Sequence, residues 1–256
     1  MARPATGSPA IDLFATDAVS GLGIAAVYLA VLAGAFAQAS TGIGLGLVAA
    51  PVMAIVDPAL VPGPILLLAI GLSVMVAWRD RAAVDRPALA AALAGRLPAT
   101  AAGVLTVAVL PADWFLALFA AILLAAIALS VAGWRARRTR TGMVVAGAAS
   151  GYMGTVTGVG APPMAIVFQH GRGAQVRGTL GAYFLVGSSL SVVALWAVVG
   201  GARADILVAL QLAPAVLLGY LMSYPARRIV DAGLLRPAIL VICTGSALVL
   251  LARALA

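Results

Sequence analysis

The chain has no lysine and no glutamate, one cysteine, one histidine, and only 9% charged residues. Soluble domains carry roughly 25% charged residues, so a water-facing surface cannot be built from this composition. A lone Cys243, set in an apolar run, excludes an intramolecular disulfide and reads as a small buried side chain. No cluster of Cys, His or Asp is present and no glycine-rich loop joins a strand to a helix, so neither a metal nor a cofactor is expected. An intramembrane serine hydrolase would need Ser188, Ser189 or Ser191 within hydrogen-bond reach of His170. The helix pattern separates them, and the chain does not read as an enzyme.

What is there is apolar. Hydrophobic residues make up 64% of the sequence and the mean hydropathy is +1.13. Apolar runs of about 20 residues recur along the whole length, as helical membrane spans require, rather than the roughly 10-residue alternating segments of an outer-membrane barrel. The pattern predicts full-length helices near 19–38, 58–79, 87–110, 112–134, 141–158, 175–199, 205–226 and 235–254. Two pieces near 47–56 and 161–170 are left over, each about 15 Å if helical and too short to cross a ~30 Å core. Apart from Asp113 and Asp205 at the very ends of theirs, no acidic residue falls inside these expected spans, which argues against a carboxylate proton relay.

All 16 cationic side chains are arginine and all 8 acidic ones aspartate. Twelve arginines fall in four segments, Arg79 to Arg86, Arg135 to Arg140, Arg172 to Arg177 and Arg227 to Arg236. This bias is a topology signal rather than a nucleic-acid footprint, and it places those segments in the cytoplasm. Arg3, Arg203 and Arg253, with Asp12, Asp17, Asp57, Asp113 and Asp205, are left for the other side. The first apolar stretch, about Val19 to Gln38, is too long for a cleaved signal core and reads as a retained helix.

Each short piece follows a break. Thr41-Gly-Ile-Gly44 and Thr157-Gly-Val-Gly160 interrupt apolar segments 116 residues apart, and the same offset pairs Gly71 with Gly187, Ser73 with Ser189, Pro98 with Pro214 and Gly103 with Gly219. Fixed-offset similarity marks an internal repeat. Arg79 ends a helix at the cytoplasm whereas its counterpart Leu195 approaches the outside, so the halves are expected to be inverted. The expected organisation is an extracytoplasmic segment 1–18, a first membrane repeat 19–134, a cytoplasmic Arg-rich linker 135–140 and a second repeat 141–256. Both termini are expected on the extracytoplasmic side of the membrane. The fold class is therefore all-α and integral to the membrane: two inverted repeats of four full helices plus one short re-entrant or half helix each, with the glycine-broken helices meeting near the midplane. Such repeats with discontinuous helices are a transporter signature.

At these residues the chain resembles the sulfite exporter TauE/SafE family. A glycine-rich break late in the first helix of each half, proline soon after, and an arginine-bearing loop between two four-helix halves carry the resemblance over about residues 19–254. Where the family often has a denser glycine run, this chain has Gly44-Leu-Gly-Leu-Val and Gly160-Ala-Pro-Pro163. The resemblance implies export of sulfite or short organosulfonates across the inner membrane. The alternative is a channel-like protein or carrier of the same fold for a different small anion or sulfur metabolite.

Helix N-termini offer unsatisfied N–H groups and the positive end of the macrodipole, which suit an anion. The expected substrate site therefore comprises Ser40, Thr41, Gly42 and Gly44 at the first break and Thr155, Thr157, Gly158 and Gly160 at the second. Gln38 and Gln211 are added as in-span polar groups. Arg96 lies nine residues after Pro87, about 13.5 Å along a helix and close to mid-membrane, where an arginine marks a functional position unless it snorkels. Pro98 and Pro214 read as kinks, and His170 as a coupling-proton candidate or a solvated loop residue. The expected partners are a small anionic sulfur-containing substrate and the lipid bilayer, with no nucleic acid; pairing of two copies as a homodimer stays open.

Overall fold

The computed structural model describes residues 21–131, 139–169, 171 and 173–230. Every α-helix expected within them forms: α1 (Gly21–Thr41), α2 (Leu45–Val56), α3 (Gly63–Arg79), α4 (Arg86–Val109), α5 (Ala112–Val131), α6 (Arg140–Thr157), α7 (Ala161–Phe168), α8 (Gly173–Val198) and α9 (Ala202–Val230). There is no strand among the described residues. The expected helix at 235–254 and His170 lie outside them.

Local chemistry explains the helix starts. Asp85 accepts from Ala88 N at 3.1 Å and precedes Pro87, which suits the first turn of α4. Thr139 accepts from Gly142 N at 3.0 Å to open α6. The helix expected from residue 58 begins later, at Gly63, because Pro58, Pro62 and Pro64 withhold backbone donors; a 3-10 turn over Pro58–Leu60, capped by Asp57, comes first. At the other end, α9 starts at Ala202 rather than 205 and takes Asp205 into its first turn, where the carboxylate accepts from Trp196 Nε1 at 2.7 Å. Asp205 thus stands a little inside the span rather than at its very end.

Among the described residues five helices, 21–41, 58–79, 86–109, 173–198 and 202–225, are long and apolar enough to cross a membrane. Helix α6 stays outside that set because glycines, serine and threonines dilute it. Large apolar side chains point outward, among them Leu22, Trp78, Leu105, Val109, Val193 and Leu210, while Arg96, Arg177, Thr155, Ser188 and Ser191 are buried. Water would invert that arrangement. Lipid permits it, and the molecule is a helical membrane protein.

Element boundaries recur at the repeat distance. Helices α1 and α6 end 116 residues apart, α2 and α7 begin 116 apart, and so do α4 and α9. Packing follows the same exchange: α4 lies on α6 and α1 on α9, α4 touches α8 as α9 touches α3, α2 folds back on α1 as α7 does on α6, and α3 pairs with α8.

Candidate functional site

Both breaks form, and both are closed by the same chemistry. Thr41 Oγ1 lies 2.9 Å from Ala37 O, to which it donates, and accepts from Ile43 N at 3.2 Å. Thr157 Oγ1 repeats this with Met153 O at 2.8 Å and Val159 N at 3.1 Å. Gly44 has φ of 152° and Gly158 φ of 76°, conformations in which a side chain is strained. The first turn of α2 reaches the second break: a Cβ on Gly46 would collide with the carbonyl oxygen of Gly158 and sit 3.4 Å from Val159 Cα. Gly42, also at positive φ, packs on the backbone of Arg177.

The donors expected for a substrate are largely committed elsewhere. Gln38, buried, accepts from Leu45 N at 3.1 Å and so caps α2 itself. Thr155 donates to Gly151 O at 2.7 Å and shares a 2.8 Å bond with Ser191 Oγ. Gly160 O accepts from Ser150 Oγ. Two of the first three residues of α7 are Pro162 and Pro163, which have no N–H to offer. The two helix N-termini are therefore unequal, since the first turn of α7 holds two residues without an N–H.

Arg96 keeps unused donors. Its residue is 1% exposed, and Nε and Nη1 have no hydrogen-bond partner. Among the described residues no carboxylate pairs with it; the ion pairs there join Arg79 and Arg177 to Asp80. The guanidinium occupies a slot between α4, α6 and α8 that glycine makes possible. A Cβ on Gly187 would strike Nε, one on Gly151 would meet Cγ at 2.9 Å, and one on Gly154 would lie 3.7 Å from Nη2 and 3.3 Å from Gly160 Cα. The ring of Tyr183 stacks on the cation, with Cζ 4.8 Å from the centroid, and its hydroxyl donates to Gly147 O at 3.1 Å. Thr100 Oγ1, on the same face one turn along α4, is also buried without a partner. Arg96 is thus enclosed by protein on every side.

Residues expected at one site are thus distributed over three places. Arg96, Thr155, Gly158 and Gly160 gather around the second break. Ser40 and Thr41 line a separate cavity of about 220 Å³ with Ile43, Phe168, Arg177 and Leu180. Gln211 is half-buried on α9, with its carbonyl accepting from Tyr28 of α1 at 2.7 Å, and it does not join Arg96. Arg177, counted above with an arginine-bearing segment, lies inside α8, as the expected helix 175–199 has it, and is buried where Gly178 meets the Asp80 backbone. Sequence reasoning missed Tyr183, Gly151 and the Asp80 cluster. Only Gly187 carried a signal, as the repeat partner of Gly71.

The family model described as Sulfite exporter TauE/SafE matches residues 26–250. No curated protein matches the chain, and no solved structure does. The match covers nearly the whole chain, and the chain belongs to the sulfite exporter TauE/SafE family.

Proposed function

We propose that this member of the TauE/SafE family exports sulfite or a short organosulfonate across the inner membrane, and that Arg96 is the fixed charge that binds it. The observation that carries the reading is the buried guanidinium with two unpartnered nitrogens and no carboxylate among the described residues. A charge buried alone is costly, and removing it from water is repaid when an opposite charge arrives. The free N–H groups on Nε and Nη1 can each donate to an oxygen of a sulfur oxyanion. The substrate completes the site.

The two halves, 19–134 and 141–256, act as inverted repeats in this reading. Recurrence of element boundaries at 116 residues and the exchanged helix pairs support it. Rocking of one half against the other about the Gly46–Gly158 contact gives alternating access. A membrane potential negative inside favours outward movement of the anion by ~2.3 kcal/mol per charge at 100 mV.

The test is flux of radiolabelled sulfite and a short sulfonate in proteoliposomes, for wild type, Arg96→Ala and Arg96→Lys. Saturable wild-type flux, abolished in Arg96→Ala and reduced in Arg96→Lys, is expected. Unchanged flux in a folded Arg96→Ala protein removes the role of Arg96, and flux that never saturates replaces the carrier by a channel.

A further inference from the structure

The cavity beside the first break is unlike the Arg96 slot, and its lining is polar where it meets α1 and α8. Ser40 is 2% exposed and its hydroxyl has no partner. Arg177, also buried, donates from Nε to Asp80 Oδ2 at 3.1 Å and from Nη1 to Ser40 O at 3.4 Å. Asp80 Oδ2 is shared with Arg79, whose Nη2 donates to Ala39 O at 2.6 Å. Two guanidinium groups against one carboxylate leave the cluster with a net positive charge.

We propose that this cavity is a second oxyanion subsite, held by Ser40 Oγ and Arg177 and distinct from the Arg96 slot; it rests on the sulfur-oxyanion reading above for its substrate class. Its charge has the right sign. Its volume of about 220 Å³ has room for a small oxyanion with water, at roughly 30 Å³ per water molecule. The orphan hydroxyl supplies a directed donor beside the cation, and a buried hydroxyl is rarely left unpaired without reason. The subsite stands at the end of the bundle that carries Arg79, Asp80 and Arg177, so an anion entering there meets it before Arg96. Two sites in series let each hold the ion weakly enough to release it.

Equilibrium binding of radiolabelled sulfite to the purified full chain, under anaerobic conditions in nanodiscs, tests this. Wild type is expected to bind two ions per protomer. Ser40→Ala and Arg177→Gln should each weaken one site by tenfold or more, leaving an ion whose binding is lost in Arg96→Ala. Ser40→Ala removes no bond that the described fold uses, so it decides the matter where Arg177→Gln fails to fold. One ion in wild type, dependent on Arg96 and indifferent to Ser40→Ala, overturns the subsite alone. Binding that depends on Ser40 and Arg177 but not on Arg96 keeps the subsite and overturns the Arg96 assignment. No sulfite bound by wild type overturns both.

Discussion

The backbone of Gly46 rests on the carbonyl oxygen of Gly158, so two helix breaks that lie more than a hundred residues apart in the chain are in contact. An added methyl group there has nowhere to go, since both neighbours are backbone. Gly46→Ala is expected to cost about 1–3 kcal/mol, the range for overpacking a close contact. Gly71, the repeat partner of Gly187, has open space around it, and Gly71→Ala should instead be neutral or stabilising by up to ~1 kcal/mol through helix propensity. Thermal unfolding of both variants in detergent separates the two effects, and equal shifts would remove the contact from the account.

Tyr183 offers two handles on Arg96. Its ring face stacks on the cation and its hydroxyl bonds to Gly147. Tyr183→Phe keeps the face and should retain sulfite flux, with a modest loss of stability. Tyr183→Leu removes an attraction of about 0.5–2 kcal/mol and should move the apparent KM for the anion. Flux kinetics in vesicles read the difference. A KM that follows the hydroxyl rather than the ring would contradict it.

Gln38 is expected to act on the fold rather than on the substrate. Its carbonyl oxygen accepts from Leu45 N inside the protein, and Gln38→Ala leaves that N–H buried and unpaired at a cost of about 1–3 kcal/mol. The variant should unfold at lower temperature while its remaining folded fraction binds anion as wild type does. Unaltered unfolding with weakened binding would return Gln38 to the substrate.

Asp80 holds two arginines, one at the end of α3 and one on α8. Asp80→Ala strands both guanidinium groups and is expected to cost about 3–5 kcal/mol, as breaking a buried pair does. Removing Arg177 as well should recover part of this, with a coupling of about 0.5–3 kcal/mol in the double-mutant cycle. Strict additivity in unfolding measurements would mean the pair is not coupled.

Much of the architecture was legible before any coordinates. Thr41 and Thr157 end their helices where glycine and the 116-residue offset placed the ends, because a chain with no water to bond must break a helix where local residues permit it. The start of α3 was misread because its prolines act on donors one turn away, which an apolar count does not see. The local bonds of the threonines went unread. In a helix the nearest acceptor for a hydroxyl is the carbonyl four residues back, and Thr41, Thr155 and Thr157 all use it.

The sequence by itself determined a helical membrane protein, two broken segments, and the one arginine deep in a span, because apolar length, glycine and charge act through near neighbours and through the bilayer. Only the tertiary structure decided what those residues face. Arg96 is enclosed by Gly151, Gly154, Gly187 and Tyr183, Arg177 is drawn into the protein by Asp80, and Ser40 is left beside it without a partner. These partners come from helices distant in the chain, and whether a polar group is satisfied or free depends on contacts that no local pattern encodes.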